Sequence, residues 1–338
     1  MRRGILAAVA TTMVMAVAGC VASPTASRLD PPQSPATQSP ATQSTAPQSP
    51  ATQSPATSAP ASPRLLGSVP LVGVYEPDAP GSWSDFGAFA SASGIRPGIA
   101  GYYSSWREPF GSAFAETAWN HGAYVLVQLQ PNGVSLASIA DGDSDAYLRS
   151  FADAVAAFGH PVILSFGHEM NGSWYSWGDG HASAAEFIAA WRHIVGVFRA
   201  QGADNATWLW AVNSVAGASG DLRRWWPGAA WVNWVGVDGY YFGTADTFTS
   251  VFGPTIADIR AFSQAPLLIA ETAVGTTADR DSQIKGLFAG VREQRLAGLM
   301  WFDEAQDSGL YHQDWRLEDD PSALAAFAAG AADGLVPG

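Results

Sequence analysis

The clearest chemical signal in the sequence is a short apolar run followed at once by ionisable and aromatic side chains. Residues 162–166 read Val-Ile-Leu-Ser-Phe. The side chains that follow are His168, Glu169, Asn171, Trp174 and Trp177. An apolar run without polar alternation is typical of a strand buried on both faces. We therefore predict a rigid strand that presents an acid and several rings at its carboxyl end, where parallel α/β proteins place active sites.

The pair His168-Glu169 has three interpretations. A zinc-protease helix needs a second histidine four residues after the first, and position 172 is Gly. We therefore predict no metal at this motif. A buried ion pair at a strand end is the structural alternative. A carboxylic acid whose proton affinity is set by burial and by neighbours is the third. The aromatic residues that follow favour this third interpretation, because such rings stack on a ligand.

The overall charge restricts the class of partner. The net charge is −13, Lys285 is the single lysine, and there are 14 tryptophans. An acidic surface repels phosphate backbones, so we expect no nucleic-acid partner. The sequence contains no phosphate-binding loop of the Rossmann or P-loop type and no G-x-S-x-G elbow. We accordingly predict no cofactor, and the abundant tryptophans favour an uncharged ligand with flat faces, such as a sugar.

The N-terminal region is typical of an exported protein. Arg2 and Arg3 precede an apolar run over residues 5–18, which is short for a bilayer span and is typical of a signal peptide. The run ends in Val-Ala-Gly-Cys20, which resembles the lipobox of bacterial lipoproteins, where the cysteine is acylated after cleavage. We predict a signal peptide over residues 1–19, lipid attachment at Cys20, and a location on the outer face of the bacterial cell membrane, with plain secretion as the alternative.

A repetitive segment follows the cysteine. The unit Ser-Pro-Ala-Thr-Gln recurs from Ser34 to Ser54. Such sequence has too few apolar residues to form a core, so residues 20–64 are predicted to be a disordered linker. Composition becomes globular from residue 65, and we predict one domain over residues 65–338.

Apolar strand candidates alternate with helical patterns throughout this domain. The eight predicted strands cover residues 71–77, 97–103, 124–131, 162–168, 206–213, 234–241, 266–271 and 297–302. Helical patterns cover residues 150–159, 184–200, 252–262, 284–291 and 322–332. Eight strand-then-helix units favour a (β/α)8 barrel, and a doubly wound open sheet is the second choice.

In a barrel the carboxyl ends of all eight strands meet at one face. Glu169 and Glu271 each follow an apolar run directly, so both are predicted to lie at rigid strand ends. Two carboxyl groups beside aromatic residues, without cationic side chains, suit the hydrolysis of a neutral polysaccharide. Trp106, just beyond the second strand, is a candidate for sugar binding. The roles of other carboxylates at these ends stay open, namely those of Glu76, Asp238, Asp303 and Glu304.

The motif His168-Glu-Met-Asn-Gly-x-Trp-x-x-Trp177-Gly resembles the acid/base motif of glycoside hydrolase family 26. The resemblance covers residues 70–335 and implies a retaining (β/α)8 glycosidase. It implies that Glu169 is the general acid/base and Glu271 the nucleophile. The segment Trp-Val-Gly-Val-Asp-Gly-Tyr240 is similar to the family's sixth strand, and Tyr240 would hold the nucleophile ionised.

The same resemblance implies the sugar contacts. His168 would contact the sugar near the cleavage point, Trp174 would stack on the leaving-group side, and Trp301 would lie beneath the sugar being cleaved. Asn171 and Trp177 belong to the same motif and are expected to bind substrate.

The resemblance also suggests the polymer. β-1,4-Mannan is the first expectation, because it is the family's commonest substrate. Mannanases of the family often carry a Trp-His pair at the end of the third strand, where this chain has Gln128 and Gln130. β-1,3-1,4-Glucan and β-1,3-xylan therefore remain alternatives.

One hypothesis from another class is a non-catalytic sugar-binding lipoprotein that feeds a transporter. Such a protein would keep the aromatic residues and would not need two glutamates at strand ends. We therefore favour a monomeric endo-β-glycanase.

Overall fold

The structure is a computed structural model, and it describes residues 71–214, 221–306 and 313–333. The predicted signal peptide, the lipid-attachment residue Cys20 and the linker lie outside the described residues. No helix within the described residues has the length and apolar character needed to cross a membrane.

Eight parallel strands form a closed barrel in which each strand pairs with the next along the chain and the eighth pairs with the first. The strands are β1 Leu71–Tyr75, β2 Ile99–Ser105, β3 Tyr124–Gln130, β4 Val162–Phe166, β5 Ala206–Asn213, β6 Trp234–Asp238, β7 Leu267–Thr272 and β8 Gly298–Phe302. All eight predicted strands and the predicted barrel are confirmed. Five strands, β1, β4, β6, β7 and β8, are buried along their whole length, which is why they read as continuous apolar runs.

Helices connect the strands and form the outer layer. They are α1 Ser84–Ser93, α2 Ser112–Asn120, α3 Leu136–Ala140, α4 Asp145–Phe158, α5 Ala184–Ala200, α6 Phe248–Arg260, α7 Arg280–Glu293 and α8 Pro321–Ala332. The sequence patterns predicted five of these, and α5 has the predicted bounds. Ser183 and Glu186 form a capping box that fixes its first turn. The patterns missed α1, α2 and α3, which are short and carry few apolar residues at helical spacing.

Glycines show which strand side chains fill the barrel. A Cβ atom on Gly73 would lie 2.1 Å from the sulfur of Met300, and one on Gly101 would lie 2.4 Å from Cε1 of Tyr75. The side chains of Tyr75 and Met300 therefore occupy the space that these two glycines leave. Because side chains alternate along a strand, Trp301 must point to the opposite face from Met300.

A small two-stranded antiparallel sheet follows β8. It pairs β9 Ala305–Gln306 with β10 Gln313–Asp314 and leads into α8.

Candidate active site

Glu169 lies just beyond the carboxyl end of β4 and is buried. Its φ of 54° is in the left-handed region, which few residues other than glycine adopt. The backbone N–H of Glu169 donates to the carbonyl of Ala211 in β5, 3.0 Å away. This bond ties the unusual turn to the neighbouring strand. Strained backbone held in this way is common at functional sites.

Two side chains donate hydrogen bonds to the Glu169 carboxylate. The indole Nε1 of Trp174 lies 2.7 Å from Oε2, and Nδ2 of Asn213 lies 2.6 Å from Oε1. Asn213 ends β5, so the loop after β4 and the end of β5, which meet only in the folded barrel, orient this carboxyl group.

Asn171 holds Asn213 in place. Nδ2 of Asn171 donates to the carbonyl of Asn213 at 2.9 Å, and its Oδ1 accepts from the Asn213 backbone N–H at 2.9 Å. The expected role of Asn171 in substrate binding stays a prediction. Its amide is engaged on both sides with the end of β5, and it positions the residue that touches Glu169.

Glu271 lies within β7 and is buried. The hydroxyl of Tyr240 donates to Oε1 and the hydroxyl of Tyr103 donates to Oε2. Tyr240 makes the contact expected from the sequence. Tyr103 was not among the predicted site residues, although its position near the end of β2 carried the signal.

The two glutamates differ in proton affinity. Burial raises the pKa of Glu169 to about 7, and the charge on Glu271 adds to the effect. Burial also raises the pKa of Glu271, but the hydrogen bonds from Tyr103 and Tyr240 oppose that rise. The negative charge of Glu271 thus favours the protonated form of Glu169. Glu169 is thus suited to donate a proton, and Glu271 is suited to act as a charged nucleophile.

Asp238 lies at the end of β6 and is fully buried. Neither of its carboxyl oxygens has a hydrogen-bond partner among the described residues. Burial raises its pKa well above the usual range, and the charges of Glu271 and Glu169 act in the same direction. A charge on Glu271 therefore favours the neutral form of Asp238, which makes Asp238 the weaker candidate for the nucleophile.

Residues 138–319, more than half of the chain, match the sequence profile of glycosyl hydrolase family 26. The match contains both glutamates. The chain belongs to glycosyl hydrolase family 26.

Named relatives of this family 26 chain act on different polymers. Endoglucanase H of Acetivibrio thermocellus is 29% identical over 258 residues, which are 71% of this chain and 28% of that protein. Beta-1,3-xylanase TXYA of a Vibrio species is 32% identical over 124 residues, or 36% of this chain and 25% of that protein. The chain thus spans about a quarter of the length of these relatives.

A solved structure shares the fold of this family 26 barrel. A Cellulomonas fimi endo-beta-1,4-mannanase double mutant superposes with a TM-score of 0.64 at 18% identity, covering 79% of this chain and 72% of that one.

The histidine of the family 26 motif lies against an aromatic cluster. His168 is buried, and its Nε2 lies 3.2 Å from the hydroxyl of Tyr175. Burial lowers its pKa to about 3, so the imidazole is neutral at ordinary pH. Its Nδ1 has no partner among the described residues, which leaves one ring nitrogen available for a hydrogen bond.

Two predicted sugar-binding tryptophans have structural positions instead. Trp177 is 2% exposed, donates to the carbonyl of His168 at 2.9 Å and stacks on Tyr175 at 4.3 Å. Trp106 is 7% exposed and packs against Phe166, which in turn stacks on Phe187 of α5. The prediction that Trp177 and Trp106 contact the sugar therefore needs correction. Trp177 packs within the loop after β4, and Trp106 packs between the barrel and the helical layer.

Trp301 also lies away from the cleft. It is fully buried, donates to the carbonyl of Trp315 at 3.2 Å and packs edge-on against Phe327 of α8 at 5.4 Å. The expectation that Trp301 lies beneath the sugar is therefore corrected. Phe302, the next residue, contacts the rings of Tyr75 and Tyr240 and occupies that side of the barrel.

Two large apolar side chains of the described residues are exposed, and both follow strand ends of the barrel. Trp174 is 44% exposed and Phe242 is 43% exposed. Trp174 touches Glu169, whereas Phe242 lies beside Tyr240, with ring centroids 6.1 Å apart. Phe242 was not predicted from the sequence. An accessible ring therefore lies near each glutamate: Trp174 contacts Glu169, and Phe242 lies beside Tyr240, the hydrogen-bond partner of Glu271.

Proposed function

We propose that this chain is a retaining endo-β-glycanase that hydrolyses a neutral β-linked polysaccharide. The observation that carries the proposal is the pair of buried glutamates in unequal environments. Glu169, with its pKa raised to about 7, is matched to proton donation, and Glu271 is held by two phenolic hydroxyls. A non-catalytic sugar-binding protein would have no use for this difference in proton affinity.

The reaction follows from these roles. A carboxylate oxygen of Glu271 attacks the anomeric carbon, and the bond to the leaving oxygen breaks as Glu169 gives that oxygen its proton. Glu169 is then ionised and takes a proton from water, whose oxygen attacks the same carbon. The bond to Glu271 breaks, and both glutamates return to their starting states. Two displacements at one carbon give net retention.

The substrate is proposed to be uncharged. Burial raises the pKa values of Glu169, Glu271 and Asp238, and no arginine or lysine contributes to these shifts. A site without cationic partners suits a neutral sugar better than a uronic acid or a phosphate. The exposed ring of Trp174 would stack on the sugar that receives the proton.

β-1,4-Mannan is the proposed polymer. The named mannanase from Cellulomonas fimi shares the fold. A second candidate, β-1,3-1,4-glucan, is favoured by the match of 71% of this chain to a protein named Endoglucanase H. It is also favoured by the absence of a Trp-His pair at the end of β3. The side chain there, Gln128, is buried and donates to the hydroxyl of Tyr75 at 3.1 Å.

A substrate panel tests the proposal. The full chain would be incubated with β-1,4-mannan, β-1,3-1,4-glucan and β-1,3-xylan, and new reducing ends and product anomers would be measured. We expect internal cleavage with β-anomeric products, most rapidly on mannan. Glu271→Ala serves as the matched inactive control. Products of α configuration would overturn the retaining mechanism, and binding without cleavage would support a sugar-binding protein.

We also propose a lipid anchor at Cys20, supported by the sequence Val-Ala-Gly-Cys at the end of the apolar N-terminal run. Cys20→Ala should release the protein from the membrane fraction or leave its signal peptide uncleaved. Unchanged membrane retention and unchanged processing of that variant would remove the basis of this proposal.

A further inference from the structure

Three acidic side chains meet where the barrel closes. Glu76 follows β1, Asp303 follows β8, and Glu318 precedes α8. One oxygen from each lies within 4.8 Å of the others. β1 and β8 pair with Tyr75 opposite Phe302, and the N–H of Asp303 donates to the carbonyl of Tyr75 at 3.1 Å. The acidic cluster therefore spans the pairing of the first and last strands.

The acidic cluster lies on the outer side of the barrel wall. The rings of Tyr75 and Phe302 contact each other on the inner side. Alternation along each strand then directs the next residues, Glu76 and Asp303, towards the helical layer. Trp301 points the same way and packs on α8. These carboxylates are thus separate from Glu169 and Glu271, and the proposed hydrolysis does not use them.

The two buried members of the acidic cluster have few hydrogen-bond donors. Glu76 is 6% exposed, and its Oε1 has no hydrogen-bond partner among the described residues. Asp303 is 2% exposed and accepts one backbone N–H, from Leu317 at 3.0 Å. Burying a carboxylate is costly unless a counter-charge or hydrogen bonds accompany it.

Within the described residues, no arginine or histidine forms an ion pair with the acidic cluster, and the charge of Arg316 acts on Asp303 without such a contact. Arg316, the nearest in sequence, binds Asp314 at 2.7 Å and Asp319 at 2.9 Å. The charges of Asp85 and Glu304 add further negative potential at Glu76.

We propose that Glu76, Asp303 and Glu318 bind a divalent cation, with Ca²⁺ as the best match. The donor set is entirely oxygen, which suits a hard cation. Ca²⁺ accepts irregular coordination with Ca–O bonds of about 2.3–2.6 Å, and three oxygens that lie within 4.8 Å of one another are close enough to share one such ion. Mg²⁺ requires shorter bonds and near-ideal octahedral geometry. Glu318 is accessible to solvent, so water can complete the coordination shell.

The cation would stabilise the closure of the barrel. It would join the end of β1, the end of β8 and the segment that leads into α8, which are brought together only in the folded chain. A ligand that binds only the folded state raises the unfolding temperature. At a Ca²⁺ concentration 100-fold above Kd, we expect Tm to rise by about 5–10 °C.

The test compares three forms of the full chain after dialysis against EDTA: the natural protein, Glu318→Gln and Glu116→Gln. Glu116 is an exposed residue of α2, so its substitution removes the same charge away from the acidic cluster. Tm and binding heat would be measured during titration with CaCl2 at constant ionic strength, with MgCl2 in parallel. We expect saturable Ca²⁺ binding and a Tm rise in the natural protein and in Glu116→Gln, and at least tenfold weaker binding in Glu318→Gln.

Two results would overturn the cation site. One is an equal Tm rise in all three proteins, which would indicate a nonspecific salt effect. The other is the absence of saturable Ca²⁺ binding in the natural protein. Turnover at 25 °C is expected to be the same in EDTA and in Ca²⁺, so the cation site and the catalytic proposal fail independently. Terbium luminescence excited through Trp301, which precedes Asp303 by two residues and points to the same side of the barrel wall, provides a local readout of binding.

Discussion

Trp174 donates its indole N–H to Oε2 of Glu169 at 2.7 Å while 44% of its surface remains accessible. One side chain therefore performs two tasks. Its N–H group stabilises the ionised form of the proposed acid, and its exposed ring is available to stack on a sugar. This contact opposes the effect of burial on Glu169, since a hydrogen bond to a carboxylate lowers the carboxyl pKa.

The pH dependence of activity should follow from this balance. The acid must be protonated, so kcat/KM should fall as pH rises through the pKa of Glu169, about 7. It should also fall at low pH, where Glu271 becomes protonated. Trp174→Phe keeps an apolar ring and removes the hydrogen bond, which raises the pKa of Glu169. The descending limb of the profile should then move to higher pH.

Trp119→Phe is the matched control for that change, because Trp119 lies in α2, away from Glu169, and stacks on His160. Its pH profile should equal that of the natural protein. A descending limb that stays in place, or moves to lower pH, in Trp174→Phe would contradict the proposed control of Glu169 by the indole.

The two glutamates should respond differently to truncation. Glu271→Ala should abolish turnover on every substrate, because no glycosyl-enzyme can form. Glu169→Ala should still cleave a dinitrophenyl β-glycoside in the first step, because that leaving group needs no proton. The glycosyl-enzyme should accumulate, and added azide should restore turnover with a β-azide product, seen by NMR. An α-azide from Glu271→Ala would mean that the roles are exchanged.

Tyr103 is expected to matter as much as Tyr240. Each hydroxyl donates to a different oxygen of Glu271, and a hydrogen bond to a charged group contributes about 1.5–3 kcal/mol. Tyr103→Phe should lower kcat/KM about 10- to 150-fold if that contribution is lost in the transition state. The acid limb should move to higher pH, because the hydroxyl lowers the pKa of Glu271.

Tyr124→Phe is the control for Tyr103→Phe, since Tyr124 begins β3 and its ring contacts Trp119 away from the glutamates. It should leave both limbs unchanged. If Tyr103→Phe lowers activity without moving the acid limb, then Tyr103 acts on packing alone.

Trp301 should contribute to stability and leave sugar affinity unaffected. Its ring is enclosed between the barrel and α8, so Trp301→Phe should lower the free energy of unfolding by about 1–3 kcal/mol, measured by urea denaturation. KM should stay within about twofold, because the substitution removes no contact with the sugar. A twofold change in affinity corresponds to only about 0.4 kcal/mol. A higher KM with an unchanged denaturation midpoint would restore the sugar-binding interpretation.

Much of the architecture is determined by the sequence alone. The strands are mostly apolar runs bounded by polar segments, and this pattern located all eight. A parallel barrel then brings every strand end to one face, so the positions of Glu169 and Glu271 directly after such runs place both glutamates there.

The tertiary structure decided which aromatic rings are accessible. In strands buried on both faces, such as Leu299-Met-Trp-Phe302, every residue is apolar, so the sequence carries no sign of which side chains point inward. The register of β8 against β1 determines which side chains point inward. Met300 lies opposite Gly73 and fills the space beside it, so Trp301 points outward and faces α8. Asn213 and Tyr103 likewise acquire their roles only when the barrel brings their strand ends within hydrogen-bonding distance of the two glutamates. These partners are far apart in the sequence, so their spacing along the chain does not predict the contacts.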